Sequence, residues 1–208
     1  MPIQFDKVTF SYGDIPVLRE FSLTLPEKGA VCLFGPSGCG KSTLLRLLAG
    51  LEQPQAGRIT GLLEKRFTVV FQENRLLPWI SAVENVALAL PGRNRQNRER
   101  AADWLRLMGL AEEVDSLPFT LSGGMQRRVA IARALAAEGD ILLLDEPFTG
   151  LDDERRRDIV AVIRKTYADR LVVLVTHSEE EWRELDAFCL RLPQTPLSGA
   201  YVFPKRGE

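Results

Sequence analysis

The residues best equipped for chemistry are Gly35-Pro36-Ser37-Gly38-Cys39-Gly40-Lys41-Ser42-Thr43. They fit G-x-x-x-x-G-K-[ST], the pattern of a phosphate-binding loop. The apolar run Ala30–Phe34 before it reads as a buried strand, and Leu44–Ala49 after it as the first turns of a helix. Glycine lets the backbone approach a phosphate; the free N–H groups then point at the anion, and the helix N-terminus adds partial positive charge. In such a loop Lys41 reaches the β- and γ-phosphates and the Ser42 hydroxyl ligates Mg²⁺. Lys41 is expected to face solvent while the loop is empty. A plain glycine-rich turn ahead of a core helix would need neither Lys41 nor Ser42, so the spacing implies a nucleoside triphosphate site.

Further candidates stand at the ends of apolar runs. Ile141–Leu144 leads into Asp145 and Glu146. A carboxylate at a strand end can hold Mg²⁺, and a second beside it can act on an attacking water. Leu171–Thr176 leads into His177, the one histidine of the chain. A lone histidine is usually structural, but open α/β sheets bind their ligands beyond the C-terminal ends of strands. Phe67–Phe71 ends at Gln72, which could ligate a metal or orient a water; alone, a glutamine there is a loop residue. Ser122-Gly123-Gly124 precedes Val129–Leu135 as a second glycine-rich helix start, open to phosphate binding or to plain capping. Tyr12, in the turn Tyr12-Gly13-Asp14, could stack on a purine or merely pack.

Other stretches must position these groups. Ile3, Phe5, Val8 and Phe10, interrupted around Asp6-Lys7, pair as an antiparallel strand with Val17 to Leu25. Ser81 followed by Glu84 is a capping box, and it follows the apolar loop Leu77-Pro78-Trp79, which needs cover from its own domain or from a partner. Arg93, Arg95, Arg98 and Arg100 mark a solvated loop and helix start. Ala101, Trp104, Leu105 and Met108 keep a helical period that Gly109 can end. Leu151-Asp152-Asp153-Glu154 opens an acid-rich helix running to about Tyr167; a short acidic helix from Glu179 and two weak strands follow.

Composition narrows the class. The 208 residues suffice for one domain, or a core with one insertion. The net charge of −1 gives no footprint of a nucleic-acid binder. No run approaches ~18 apolar residues, the length that spans a membrane. Met1–Asp6 lacks the basic start and apolar stretch of a secretory signal, and the three cysteines show no metal-ligand spacing, so reduced thiols are expected.

In order and register these features resemble the ATP-binding cassette of ABC transporters over nearly the whole chain. GPSGCGKST is similar to the Walker A motif, LSGGMQ to the family signature, and ILLLDEP to Walker B with its glutamate. Gln72 falls at the Q-loop, Leu151-Asp152 at the D-loop, His177 at the switch histidine and Tyr12 at the adenine-stacking aromatic. The resemblance implies an α/β P-loop NTPase domain over residues 1–208: a RecA-like core, an antiparallel β subdomain and an inserted helical subdomain of roughly 73–136. It implies a nucleotide held by Tyr12, by Gly35 through Thr43 and, from the partner of a head-to-tail homodimer, by Ser122, Gly123, Gly124, Gln126 and Asp152. Mg²⁺ would be held by Ser42, Gln72 and Asp145, and Glu146, His177 and Gln72 would serve hydrolysis of ATP. The implied setting is the cytoplasmic face of a bacterial membrane, on a permease supplied by a periplasmic solute-binding protein, without nucleic acid.

Val70–Glu73 followed by Arg75–Trp79 is most similar to nitrate, sulfonate and taurine-type importers, with thiamine and pyrimidine-precursor importers sharing parts. Against that group the chain is short between Gly57 and Phe67, where a hairpin looks trimmed, and at its C-terminal end. An exporter or a membrane-bound signalling complex would use the same hydrolytic motifs. A soluble cassette of DNA repair or translation would carry two cassettes or a long coiled-coil insertion.

Overall fold

Among the described residues nine strands and six α-helices follow one another, the parallel strands falling on the apolar runs. A computed structural model describes residues 2–92 and 96–203, so Arg93 and Arg95 of the basic stretch lie outside the described residues. The elements are β1 (Gln4–Tyr12), β2 (Ile15–Thr24), β3 (Gly29–Phe34), α1 (Lys41–Leu48), β4 (Ala56–Thr60), β5 (Phe67–Val70), α2 (Ala82–Ala87) and α3 (Asn97–Leu107), then α4 (Gly123–Ala136), β6 (Ile141–Asp145), α5 (Asp153–Thr166), β7 (Leu171–Thr176), α6 (Glu179–Glu184), β8 (Phe188–Arg191) and β9 (Leu197–Val202).

Two sheets form. β5-β6-β7-β3-β8 is parallel throughout. Its strands are the near-continuous apolar runs, as a sheet covered on both faces requires. Alternate residues point to opposite faces. Leu142, Leu144, Val172, Leu174 and Cys32 therefore enter one core with α2 to α5, while Ile141, Leu143, Val173, Val175, Val31 and Leu33 enter a second core with α1 and the other sheet. That other sheet has the order β4-β1-β2-β9 and is antiparallel except for β9 beside β2. The break at Asp6-Lys7 is a register shift with Lys7 at φ 47°, and Gly57, at φ 78°, packs so closely on this bulge that a Cβ would lie 2.3 Å from the Lys7 carbonyl oxygen. Where a hairpin looks trimmed, β4 pairs with β1 and β5 with β6, and residues 61–66 cross from one sheet to the other.

Between β5 and β6 the chain carries α2, α3 and α4, which pack on one another. Ser81 caps α2 with the expected box, its hydroxyl accepting from the Glu84 N–H while Glu84 accepts from the Ser81 N–H at 2.8 Å. Gly109, at φ 68°, follows the end of α3. Among the described residues no helix is long and apolar enough to cross a membrane.

Candidate active site

Because the five strands run parallel, their C-terminal ends share one edge. β3 delivers the glycine loop there, β5 delivers Gln72, β6 delivers Asp145 and Glu146, and β7 delivers His177. Pro36, Ser37 and Gly38 are exposed at the tip of the loop, whereas Cys39 turns inward and Thr43 is buried in α1. Gly40 precedes α1 at φ 99°, and a Cβ there would come within 2.9 Å of Val17. Gly35 is fixed by close approach, since its Cβ would meet the Leu192 carbonyl at 3.0 Å. An open cleft beside the loop is lined by Tyr12, Ile15, Val17, Ser37, Gly38, Lys41, Ser42, Gln72 and Glu146.

Lys41 does not face solvent. It is 5% exposed, and its Nζ donates to the carbonyls of Gly35 and Pro36, both at 2.8 Å. The Gly35 and Pro36 carbonyls need donors, and a cation on a flexible stem satisfies both.

Ser42 Oγ donates to Asp145 Oδ1 at 3.1 Å. Burial pushes the Asp145 carboxyl up from its ordinary range, the Ser42 hydrogen bond opposes this, and neighbouring Glu146 adds to the rise. Ser42, Asp145 and Gln72 line one small recess of the cleft. The donors there are a hydroxyl, a carboxylate and an amide, with no sulfur or imidazole. Among the described residues no cluster of three or more histidine, cysteine, aspartate or glutamate side chains could enclose a metal. So sparse an oxygen set fits Mg²⁺, which keeps several waters and shares its remaining positions with phosphate.

Glu146 adopts φ 46°, a left-handed conformation that a glutamate rarely takes. Its N–H donates to the Val175 carbonyl at 2.9 Å and its carbonyl accepts from Thr149 Oγ1 at 3.2 Å. His177 Nδ1 lies 3.3 Å from Glu146 Oε1, and the imidazole is largely exposed. Behind it, Thr176 donates to Glu181 and accepts from the Ser178 N–H at 3.0 Å, fixing the turn that carries His177. Burial raises the Glu181 carboxyl above its ordinary range, offset in part by that Thr176 bond. Tyr12 sits at the rim, packed edge-on against Phe10 with its hydroxyl accepting from Arg46 at 3.3 Å.

The second glycine-rich start lies apart from this cluster. Ser122 caps α4, its Oγ accepting from the Met125 N–H at 3.2 Å. Gly123 is exposed, and Gly124 packs so closely on the Gly150 carbonyl that a Cβ would be 3.0 Å away. Gln126 donates to the carbonyls of Pro118 and Leu121, and Asp152 caps α5 by accepting from the Arg155 N–H at 2.9 Å. None of these five lines the cleft among the described residues.

Sequence reasoning missed two buried polar groups. Arg127, 3% exposed, reaches both the Gln72 and the Glu146 segments; its desolvation lowers its pKa while Asp145 and Glu146 pull it back up. Asn85, fully buried, accepts from the Leu77 N–H at 2.8 Å and donates to the carbonyls of Leu77, Ile80 and Ser81. Each sits at a helix position whose burial only the tertiary packing reveals. Trp79 stays 72% exposed beside a groove formed with Leu77, Ile80, Ala87 and Leu88.

A glycine loop between a parallel strand and a helix, with a serine–aspartate pair and a glutamate at the same sheet edge, defines a P-loop nucleotide-binding domain. The ABC transporter family model matches residues 18–149. The chain is 44% identical over 194 residues to the Fe(3+) ions import ATP-binding protein FbpC of Brucella abortus (strain 2308), covering 86% of this chain and 55% of that one. It is 44% identical over 185 residues to the aliphatic sulfonates import ATP-binding protein SsuB 1 of Mesorhizobium japonicum, covering 85% and 70%. Its fold matches the dimeric structure of MJ0796, a bacterial ABC transporter cassette, with a TM-score of 0.81 at 32% identity, covering 91% and 94%. The chain belongs to the ABC transporter family, and it spans about half the length of the FbpC relatives.

Proposed function

We propose that this chain is the ATP-hydrolysing subunit of a bacterial ABC importer. The observation that carries it is the meeting of Lys41, Ser42, Gln72, Asp145, Glu146 and His177 at one edge of the parallel sheet. Lys41 leaves the Gly35 and Pro36 carbonyls to pair with the γ-phosphate, and the loop N–H groups bind the β-phosphate. Tyr12 stacks on the adenine. Ser42, Asp145 and Gln72 would hold Mg²⁺, which when bound would supply charge neutralisation at the transferring phosphoryl group. Glu146 orients the attacking water and receives its proton, and His177 keeps that carboxylate placed and contacts the γ-phosphate.

The signature start faces a second copy. Ser122, Gly123 and Gly124, with Gln126 holding their loop and Asp152 beside them, would close over the partner's nucleotide in a head-to-tail dimer. One chain offers two phosphate-ready helix starts but only one of them, with Asp145 and Glu146, at the edge of the parallel sheet, an asymmetry that a two-fold dimer uses without redundancy. In this scheme the segment from about 73 to 136 is the helical subdomain inserted in the core.

Import is favoured because the relatives above are import ATP-binding proteins. They are named for different solutes, so solute choice would lie with a membrane permease and a periplasmic binding protein, the cassette sitting peripherally on the cytoplasmic face. The exposed Trp79 groove is the natural seat for an amphipathic helix of that permease.

The test is ATP hydrolysis by the purified chain with Mg²⁺, followed by reconstitution with a cognate permease. Absence of both ATP binding and turnover would defeat the enzymatic assignment. ATP-dependent efflux instead of uptake would defeat import alone.

A further inference from the structure

Arg127 occupies an unusual position on α4. Its Nε donates to the Pro147 carbonyl at 2.7 Å; its Nη2 donates to the carbonyls of Asp145 at 2.8 Å and Glu146 at 2.6 Å. Its Nη1 donates to the Phe71 carbonyl and, at 3.3 Å, to the Gln72 carbonyl and Asn74 Oδ1. Every hydrogen-bond acceptor is a carbonyl or amide oxygen, so the buried charge is solvated at close range by the ends of two strands, while the Asp145 and Glu146 carboxylates favour it from further off.

The placement has a physical logic. β5 and β6 are hydrogen-bonded up to Val70 opposite Leu144, and beyond that register the two segments part. Buried carbonyls on both sides then need donors. The rigid fork of a guanidinium carries five N–H groups and can span the gap, whereas an ammonium is a point donor that cannot. The two segments joined this way carry Gln72 and Glu146, and the bonds fall on the carbonyls of those same residues. Glu146 needs such a hold, because its φ of 46° persists only if its surroundings over-determine it.

We infer that Arg127 is a positioning residue for hydrolysis, fixing the Gln72 and Glu146 side chains relative to each other through their backbones. This rests on the proposed ATPase function. Arg127 touches neither nucleotide nor metal, so it sets turnover and leaves nucleotide affinity to the glycine loop.

The test compares wild type with Arg127→Lys and Arg127→Gln in the full chain. Four quantities are measured: affinity for a fluorescent ATP analogue without Mg²⁺, kcat, the Mg²⁺ concentration for half-maximal turnover, and the melting temperature. Expected for Arg127→Lys is a kcat lower by about tenfold or more, since small misplacements of reacting groups cost up to ~100-fold. Metal-free nucleotide affinity stays within about twofold, and the Mg²⁺ requirement rises because Gln72 is no longer held, a shift that general loosening does not produce. Unchanged kcat and Mg²⁺ dependence in both variants would overturn the inference while leaving the ATPase assignment standing. So would parallel losses of kcat, affinity and melting temperature that all recover on cooling. A wild-type chain that neither binds nor hydrolyses ATP would instead bring down the functional proposal itself.

Discussion

Replacing Lys41 with alanine should damage two things at once, and in the empty protein only one of them shows. With no nucleotide, Nζ bonds the Gly35 and Pro36 carbonyls at 2.8 Å and is nearly sealed from water. A hydrogen bond to a charged group contributes roughly 1.5–3 kcal/mol. Removing the buried charge also removes its desolvation cost, and Pro36 is exposed enough for water to reach its carbonyl. The net loss should be about 1–3 kcal/mol, which for a chain of this size lowers the melting temperature by roughly 3–10 °C. For ATP, the lost ammonium–phosphate contact in a partly dry cleft should cost about 3 kcal/mol or more, some 100-fold in affinity. Differential scanning fluorimetry with and without ATP reads both. ATP should raise the wild-type melting temperature with the logarithm of its concentration above the dissociation constant and leave the variant almost unmoved. Equal ATP affinity in variant and wild type would refute the phosphate role, and an unchanged melting temperature without ATP would refute the carbonyl contacts as a stabilising latch.

Glu146→Gln is nearly isosteric but cannot take a proton, so turnover should fall by about 100-fold or more while ATP drives the chain into a dimer visible by size-exclusion chromatography; full steady-state activity would contradict the base assignment. Trp79→Ala should leave ATP affinity and melting temperature nearly intact, because the ring is 72% exposed, yet weaken co-purification with the permease by ~2 kcal/mol or more if the ring anchors the contact. A melting temperature well below wild type with normal assembly would make the ring a packing residue. Asn85→Asp sets a carboxylate against the carbonyls of Leu77, Ile80 and Ser81, so its pKa must rise on folding. The penalty is then full above that raised pKa and fades as pH falls and the carboxyl protonates; thermal melts from pH 7 to 5 should show the variant approaching wild type, and a constant gap would refute this.

The sheet and its loop were legible because their signals are local. Parallel strands covered on both faces must read as short apolar runs, and a loop that wraps phosphate must carry glycine, lysine and serine at fixed offsets. The capping box at Ser81 and Glu84 was legible for the same reason. What escaped depends on contacts distant in sequence. Lys41 reads as an exposed cation because its spacing says nothing about which carbonyls lie within reach of Nζ. Arg127 follows a glycine-rich helix start where nothing local marks it as buried, because its partners lie 18 to 56 residues away. Before β5 the sequence shows only that the chain is short against the importer group, and nothing local reveals that β4 and β5 join different sheets.

Those distant contacts also decide how the site could reach the Trp79 groove. From Phe71 to Ser81 the chain has no regular structure of its own, and a free loop of that kind would absorb any displacement of Gln72. Here its backbone is held along its length. Arg127 grips Phe71 and Gln72, Arg133 grips Asn74 and Arg75 at 3.0 and 2.8 Å, and Asn85 grips Leu77, Ile80 and Ser81. Arg127 and Arg133 belong to α4 and Asn85 to α2, and these two helices pack directly on each other. Packed elements shift as bodies and do not deform continuously, so a loop fastened to them moves with them. A change at Gln72 on nucleotide binding would then carry α2, α4, the groove and the Ser122 start together, with the arginine and asparagine bonds as the fasteners. Such coupling would be mechanical and local in each link, and it would require no contact between nucleotide and groove.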